Sequence, residues 1–429
     1  NIRQYSESGT FLDFTKDIPN LKQLGVKVIW LMPIFPISET KRKATGGEFA
    51  SLIEDETERE KMLGSYYAVT DFTKVNPEFG TLEDFRTLVK TAHENDIYVI
   101  LDWVPNHTGW DHSWIKTNPE YYTQNEAGDI IDPINPDTGE SWGWQDVADL
   151  NYGNEAMQDE MIRDMKYWIA EENIDGFRCD MAGMVPLEFW EKAIPQLRAE
   201  KNIFMLAEAW EPELLKGDLF DMAYAWDGHH LLNNLAKGES TADDLKAYIK
   251  QLYFDRYEKD DILMNFVTNH DENSWNGTVK ERMGDASELM LALSYCAPGM
   301  PLIYSGQEYD MSKRLRFFEK DTIVKTKGNV WPILAKLGKL KNTNKALNGG
   351  KNAAVYTRII SSNDQNILIF TREKEGEKLT FMGNLSNKDV NFAFKKEGES
   401  INYFTDEKVV FSGDSKQTFK PWEYKIFID

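Results

Sequence analysis

The chain has 429 residues, more than one ordinary hydrophobic core accommodates, so two or three domains are expected, although a β/α barrel can absorb well over half of that length. Its 49 Lys and Arg against 71 Asp and Glu leave a net charge of −22, which argues against nucleic acid and anionic membranes as partners and favours a neutral ligand. The sequence contains no run of about 18 apolar residues, so no transmembrane segment is expected.

Aromatic residues make up 13% of the chain, with 13 Trp, which suits stacking on sugar rings as well as a large mixed core; composition alone leaves both open. Cys179 and Cys296 sit in apolar contexts and read as buried thiols, not as a disulfide framework or a metal site. The chain begins at Asn1-Ile2-Arg3-Gln4-Tyr5 with no visible signal peptide, in what already reads as a strand, as a processed or trimmed product would.

In chain order, apolar runs alternate with amphipathic stretches. The runs read as strands are Ile2 to Tyr5, Val26 to Leu31, Ile97 to Leu101, Ile174 to Asp180, Ile203 to Ala207, Met222 to Trp226, Ile262 to Val267 and Met300 to Tyr304. Mostly continuous apolar character suits a parallel sheet covered on both faces. Between the runs lie helices of the right period. Thr81-Leu82-Glu83-Asp84 resembles a capping box ahead of Phe85, Leu88, Val89 and Ala92, while Met161, Ile162, Met165, Trp168 and Ile169 make a second apolar face and Leu289, Met290 and Leu293 a third. Strand then helix, repeated, predicts an α/β fold of the (β/α)8 TIM barrel type.

Two irregularities interrupt the repeat. Residues 38–64, after the second strand, carry charge runs and read as a solvated face. Residues 107–151, after the third strand, place Trp110, Trp114, Tyr121, Tyr122, Trp142 and Trp144 among Pro, Gly, Asp and Asn, and a loop this long reads as an inserted subdomain over the rim where barrel active sites lie. Beyond Leu347 the pattern changes to short alternating runs: Val355 to Ile360, Ile367 to Thr371, Leu379 to Leu385, Val390 to Phe394, Val409 to Phe411 and Tyr424 to Ile428. With polar turns at Asn363-Asp364 and Gly413-Asp414, they predict an antiparallel β-sandwich. The expected division is thus a barrel over 1–106 and 152–348, an insertion over 107–151 and a C-terminal sandwich over 349–429.

Chemistry gathers at the expected carboxyl ends of the strands. The third ends in Asp102-Trp103-Val104-Pro105-Asn106-His107, the fourth in Arg178 and Asp180, the fifth in Glu208, and the seventh in Asn269-His270-Asp271-Glu272. Alternation along a strand puts Arg178 and Asp180 on one side and Phe177 and Cys179 on the other. An Arg and an Asp two residues apart are as readily a structural ion pair as a catalytic one. Acidic ends on several strands together point to a catalytic carboxylate cluster at one mouth of the barrel.

These segments resemble the α-amylase superfamily of glycoside hydrolases over nearly the whole chain. The resemblance rests on Asp102, Asn106 and His107, on Gly176-Phe177-Arg178-Cys179-Asp180, on Glu208, on Asn269-His270-Asp271, on Ala148-Asp149-Leu150-Asn151 and on Pro301 to Glu308. It implies Asp180 as nucleophile, Glu208 as general acid and base, and Asp271 as stabiliser of the distorted sugar. It further implies sugar contacts from Asp102, His107, Arg178 and His270 and a stacking ring at Tyr67, with Tyr66 a weaker alternative. Asn106 and Asp149 match calcium ligands of some members, or else serve as loop hydrogen-bonders. Where many members carry Lys-His after the nucleophile, this chain has Gly183 and Met184, which leaves leaving-side specificity open. The implied activity is retaining hydrolysis of α-1,4-glucans such as starch or maltooligosaccharides, by an exported enzyme needing no cofactor for the chemistry. The alternatives are glucosyl transfer or isomerisation on the same machinery, and a barrel kept as a non-catalytic glucan-binding module.

Overall fold

The computed structural model describes residues 1–429, the side chains of Tyr253 and Phe254 excepted. Two compact units divide the chain, one formed by 1–22, 26–223 and 315–324, the other by 23–25, 224–314 and 325–429.

In the first unit, parallel strands follow one another in the order β1 (Val28–Leu31), β2 (Tyr98–Trp103), β5 (Gly176–Cys179), β6 (Phe204–Ala207) and the opening residues of β7 (Met222–Tyr224). Between β2 and β5 the chain makes a short antiparallel ladder of β3 (His107–Gly109) and β4 (Val147–Asp149). All four residues of β5 and the last five of β2 are buried, as expected of strands covered on both faces. The helix Leu82–Glu94 starts in a complete Thr81/Asp84 capping box and buries Phe85, Leu88, Val89 and Ala92. The helix Glu155–Ala170 is capped by the Asn154 side chain and buries Met157, Met161, Ile162, Met165, Trp168 and Ile169. Phe35 meets Trp103 and Trp168 edge-on, with ring centroids 5.5 and 5.7 Å apart, while Phe72 stacks on Trp103 at 4.9 Å. Truncating any of these rings would cost about 3 to 5 kcal/mol, so this aromatic packing holds β2 against its covering helix.

The first expected strand is a helix. Ile2–Tyr5 forms one turn, capped by Asn1, whose Oδ1 accepts from the Gln4 N–H. Its polar residues are buried and satisfied: Arg3 Nε donates to Glu78 Oε1 at 2.7 Å, and Gln4 Nε2 donates to the carbonyls of Arg316 and Glu319. A four-residue stretch carries too little periodicity to separate strand from helix, and the capping residue decides it. Residues 38–64 are solvated in part as expected, since the helix Glu56–Glu60 buries nothing, yet Ala44, Ala50 and Met62 close a small core of their own.

The second unit contains the parallel pair β8 (Leu263–Asn265) and β9 (Met300–Pro301), with Met264 opposite Met300. The helix Ser287–Cys296 is buried on every face from Leu289 onward, and Cys179 and Cys296 are free and buried, as read from their contexts. The C-terminal strands β10 (Val355–Arg358), β11 (Ile367–Lys374), β12 (Glu377–Asn384), β13 (Val390–Asn402), β14 (Lys408–Phe419) and β15 (Tyr424–Ile428) form an antiparallel sheet in the order β10-β11-β12-β15-β13-β14. The segment after β10 returns to β13 through a Ser361–Phe394 bridge, folding the sheet around Ile369, Met382, Phe392, Phe394, Phe411, Phe419 and Phe427. The expected turn at Gly413-Asp414 is instead the middle of β14, where these residues pair with Lys396 and Lys395 of β13. Lys395 to Ser400 reads as a loop because it is polar, but in a two-stranded arm most of those side chains point to water.

Gly176 opens β5 with φ +141°, and a Cβ placed there would lie 1.9 Å from the Phe204 carbonyl oxygen of β6. Gly176→Ala is expected to lower stability by about 3 kcal/mol or more, read as a shift in denaturant midpoint, because strained backbone and a backbone clash add.

Candidate active site

Register brings the candidate residues of the first unit together. Asp102 on β2 is the direct partner of Arg178 on β5, so both side chains leave the sheet on the same face. One step further along, the Asp180 N–H donates to the Trp103 carbonyl and the Glu208 N–H to the Cys179 carbonyl. Asp180 and Glu208 therefore continue adjacent strands just past their carboxyl ends, above the Asp102–Arg178 pair. Neighbouring strands run about 4.8 Å apart, which fixes the backbone spacing from which these two carboxylates project.

Arg178 is the hub. Its Nη1 donates to Asp102 Oδ1 at 2.8 Å and to Asp180 Oδ1 at 2.7 Å, while Nη2 lies 2.9 Å from Glu208 Oε2. Asp102 and Arg178 are completely buried, and Glu208 keeps 16% of its side chain exposed. Three carboxylates surround one guanidinium, so the cluster favours holding a proton. Burial pushes the Glu208 carboxyl up to about 7, opposed by Arg178 and reinforced by the Asp180 charge. Burial also raises Asp102, with Arg178 pulling the other way. The Met181 N–H donates to Glu208 Oε2 at 2.8 Å, and Met181 takes a left-handed conformation with φ 46° to present it.

Asp102 is clamped from its other side, since Tyr67 OH donates to its Oδ2 at 3.0 Å and Trp30 Nε1 at 3.1 Å. Trp30 also lies under the Arg178 guanidinium, 4.8 Å from ring centroid to Cζ. Between the two candidate tyrosines the structure distinguishes clearly. Tyr66 is buried, with Arg3 over its ring and its hydroxyl on Asn1, whereas Tyr67 is half-buried and parallel to Phe317 at 6.4 Å. Trp30, Phe317 and the Met181 N–H were not singled out in the sequence. Trp30 reads as one more core residue of an apolar strand, and a backbone donor leaves no residue-type signature.

His107 is buried and its imidazole is held down to about 4 by burial, so it is neutral at pH 7. Its Nδ1 accepts from Asn106 Nδ2 at 3.2 Å, and the residue lies opposite Asp149 in the β3–β4 ladder. Asn106 pairs through its carbonyl with the Leu150 N–H. Burial, with the Asp132 charge adding, pushes the Asp149 carboxyl up to about 6. Oxygen donors suit calcium, but two side chains fall well short of the six to eight it takes, and the described residues contain no group of three or more His, Cys, Asp or Glu poised for a metal. Gly183 lies against the Glu211 carboxylate, 2.7 Å from where a Cβ would be, and Met184 is exposed.

His270 and Asp271 belong to the second unit, past the carboxyl end of β8. His270 is buried with Nε2 3.3 Å from Asp271 Oδ2, and the Asn269 side chain accepts from the Glu272 N–H. Within the first unit, Tyr67, Asp102, Arg178, Asp180 and Glu208 make one hydrogen-bonded constellation.

A family model described as the alpha amylase catalytic domain matches residues 4–329. The chain is 25% identical over 437 aligned residues to "Alpha-amylase 3" of Dictyoglomus thermophilum, covering 88% of this chain and 80% of that one. It is 27% identical to a 4-alpha-glucanotransferase of Thermotoga neapolitana, over 71% of this chain and 68% of the relative. Among solved structures, an alpha-amylase from Lactobacillus plantarum superimposes with a TM-score of 0.85 at 29% identity, covering 100% of this chain and 97% of that one. The expected fold class, a β/α barrel followed by an antiparallel β domain, is the one the chain has. A match over well over half its length, with a relative's entire fold alongside, means that the chain belongs to the alpha-amylase family of enzymes.

Proposed function

We infer that this enzyme is a retaining glycoside hydrolase acting on α-1,4-glucans. The observation that carries the reading is the Arg178 hub, which places an ionisable Asp180 beside a Glu208 whose carboxyl is held near neutrality. Asp180 attacks the anomeric carbon while Glu208 gives its proton to the departing glycosidic oxygen, leaving a glycosyl ester on Asp180. Glu208, now a carboxylate, takes a proton from water, the water oxygen bonds to the anomeric carbon, and Asp180 leaves. Retention asks for carboxyl groups about 5 to 5.5 Å apart, and adjacent strands supply a comparable spacing. Asp271 is assigned to the sugar hydroxyls, as stabiliser of the oxocarbenium-like state, with His107 and His270 as further sugar contacts. The 107–151 insertion, as a subdomain, and the 349–429 domain are assigned accessory roles.

Transfer to a sugar acceptor is the second reading. It is favoured by the relative named a 4-alpha-glucanotransferase and by Gly183 and Met184, which put no basic side chain on the leaving side. Asn106 and Asp149 would supply two side-chain oxygens to a structural calcium, which would need further oxygen ligands and would take no part in bond cleavage.

Asp180→Asn is expected to reduce turnover of maltotetraose by about 10³-fold or more with the thermal unfolding profile intact. Proton NMR of the first wild-type products should show the α-anomer, and β-anomer as first product would exclude a retaining hydrolase; chain lengthening without new reducing ends would favour transfer. The wild-type kcat/KM should fall as pH rises through about 7, as Glu208 loses the proton it donates. In Glu208→Gln that alkaline limb should vanish along with about 10² to 10⁴ of the rate. Calcium should raise the melting temperature by about 3 °C or more, and Asp149→Asn should remove the increment; a melt indifferent to calcium and chelator would dismiss the metal assignment.

A further inference from the structure

The five residues directly after Asp271, Glu272–Asn276, form a turn of π-helix closed by Gly277 N–H to Glu272 carbonyl at 2.9 Å. Wide turns of this kind are rare and concentrate at functional sites, because they re-aim a neighbouring side chain at a cost in backbone hydrogen bonding. This one needs an anchor to persist. Glu272 is 7% exposed, and its two carboxylate oxygens are engaged separately: Oε1 accepts from Asn276 Nδ2 at 3.0 Å, and Oε2 lies 3.1 Å from His229 Nε2.

His229 is fixed independently of the turn. It is 1% exposed on the helix Trp226–Lys237, stacks on Phe266 at 4.4 Å with 9° between planes, and sets Nδ1 3.0 Å from the Phe266 carbonyl oxygen. A carbonyl only accepts, so Nδ1 carries a proton. The Nε2–Oε2 contact then needs one further proton, on either partner. Asn233 Nδ2 reaches both His229 Nε2 and the His229 carbonyl, and Arg282 Nη1 holds Asn233 Oδ1 at 2.9 Å. Arg282 in turn donates to the carbonyls of Val267 and Gly277 on either side of the Asn269–Asn276 segment. The far ends of the turn and its first side chain are all tied to one buried framework.

We propose that Glu272 and His229 form a latch that sets the direction of Asp271 and His270, and that they are positioning residues for the reaction. The inference rests on the assignment of Asp271 as transition-state stabiliser. The latch touches no substrate; it acts by holding the backbone from which Asp271 leaves, where a displacement of about 1 Å costs on the order of 10²-fold in rate.

The test compares Glu272→Ala with Glu272→Gln, with Asp271→Asn as reference, on maltotetraose. A glutamine can accept from Asn276 and donate to a neutral His229 Nε2, so it preserves both contacts; alanine preserves neither. Glu272→Ala should lose about 10- to 100-fold in kcat with KM within about twofold, since an interaction felt only in the transition state is weakened. Glu272→Gln should restore kcat to within about threefold of wild type. Rates are taken per folded molecule, from melting curves and near-ultraviolet circular dichroism. Wild-type kcat in Glu272→Ala, a loss that only tracks the unfolded fraction, or a Glu272→Gln enzyme as slow as the alanine variant would each overturn the latch. Full activity in Asp271→Asn would instead overturn the stabiliser assignment on which it stands.

Discussion

One guanidinium shared among three carboxylates governs the chemistry of the first unit. Burying an unpaired carboxylate is prohibitive, and burying three beside a single positive charge leaves the cluster short of cation. The deficit is met by neutral donors to Asp102, from Tyr67 and Trp30, and by a proton held at Glu208. The burial that draws Arg178 in among these carboxylates also raises the proton affinity of Glu208. Lysine would not substitute, because a point charge cannot aim N–H groups at Asp102 and Asp180 in a fixed plane while keeping charge beside Glu208.

Strand register turns that electrostatic requirement into geometry. Asp102 faces Arg178 because β2 and β5 are in register there, and Asp180 and Glu208 emerge one step later on neighbouring strands. Gly176 lets β5 begin close enough to β6 for that register to form. Beneath it, the Phe35, Phe72, Trp103 and Trp168 rings lock β2 in place. A chain of causes thus runs from apolar strand composition, through packing, to the proton affinity of one glutamate.

Much of this was legible in the sequence because the informative residues recur at one structural position. Acidic and basic side chains at the ends of apolar runs stand out, and Asp102, Arg178, Asp180 and Glu208 were all found that way. The helix Leu82–Glu94 was legible down to its cap, since both members of the box are visible three residues apart. What escaped has physical reasons. Ile2–Tyr5 is too short for its period to be read, and its helical state depends on Asn1 and on partners more than three hundred residues away. The length of the β13–β14 arm was hidden because a strand washed by solvent on one face looks like a loop. Trp30 escaped because a tryptophan in an apolar run carries no mark of whether its indole N–H meets a carboxylate. The π-helical turn after Asp271 has no compositional signature either, although the Glu272 that anchors it stands in plain view.

The spacing of Asp180 and Glu208 is inherited from a backbone ladder, and the segment after Asp180 adds one backbone donor to it, the Met181 N–H. The next stretch, containing Gly183, packs against the Glu211 carboxylate instead. A change confined to that stretch would leave the ladder, and the carboxylates it spaces, where they are.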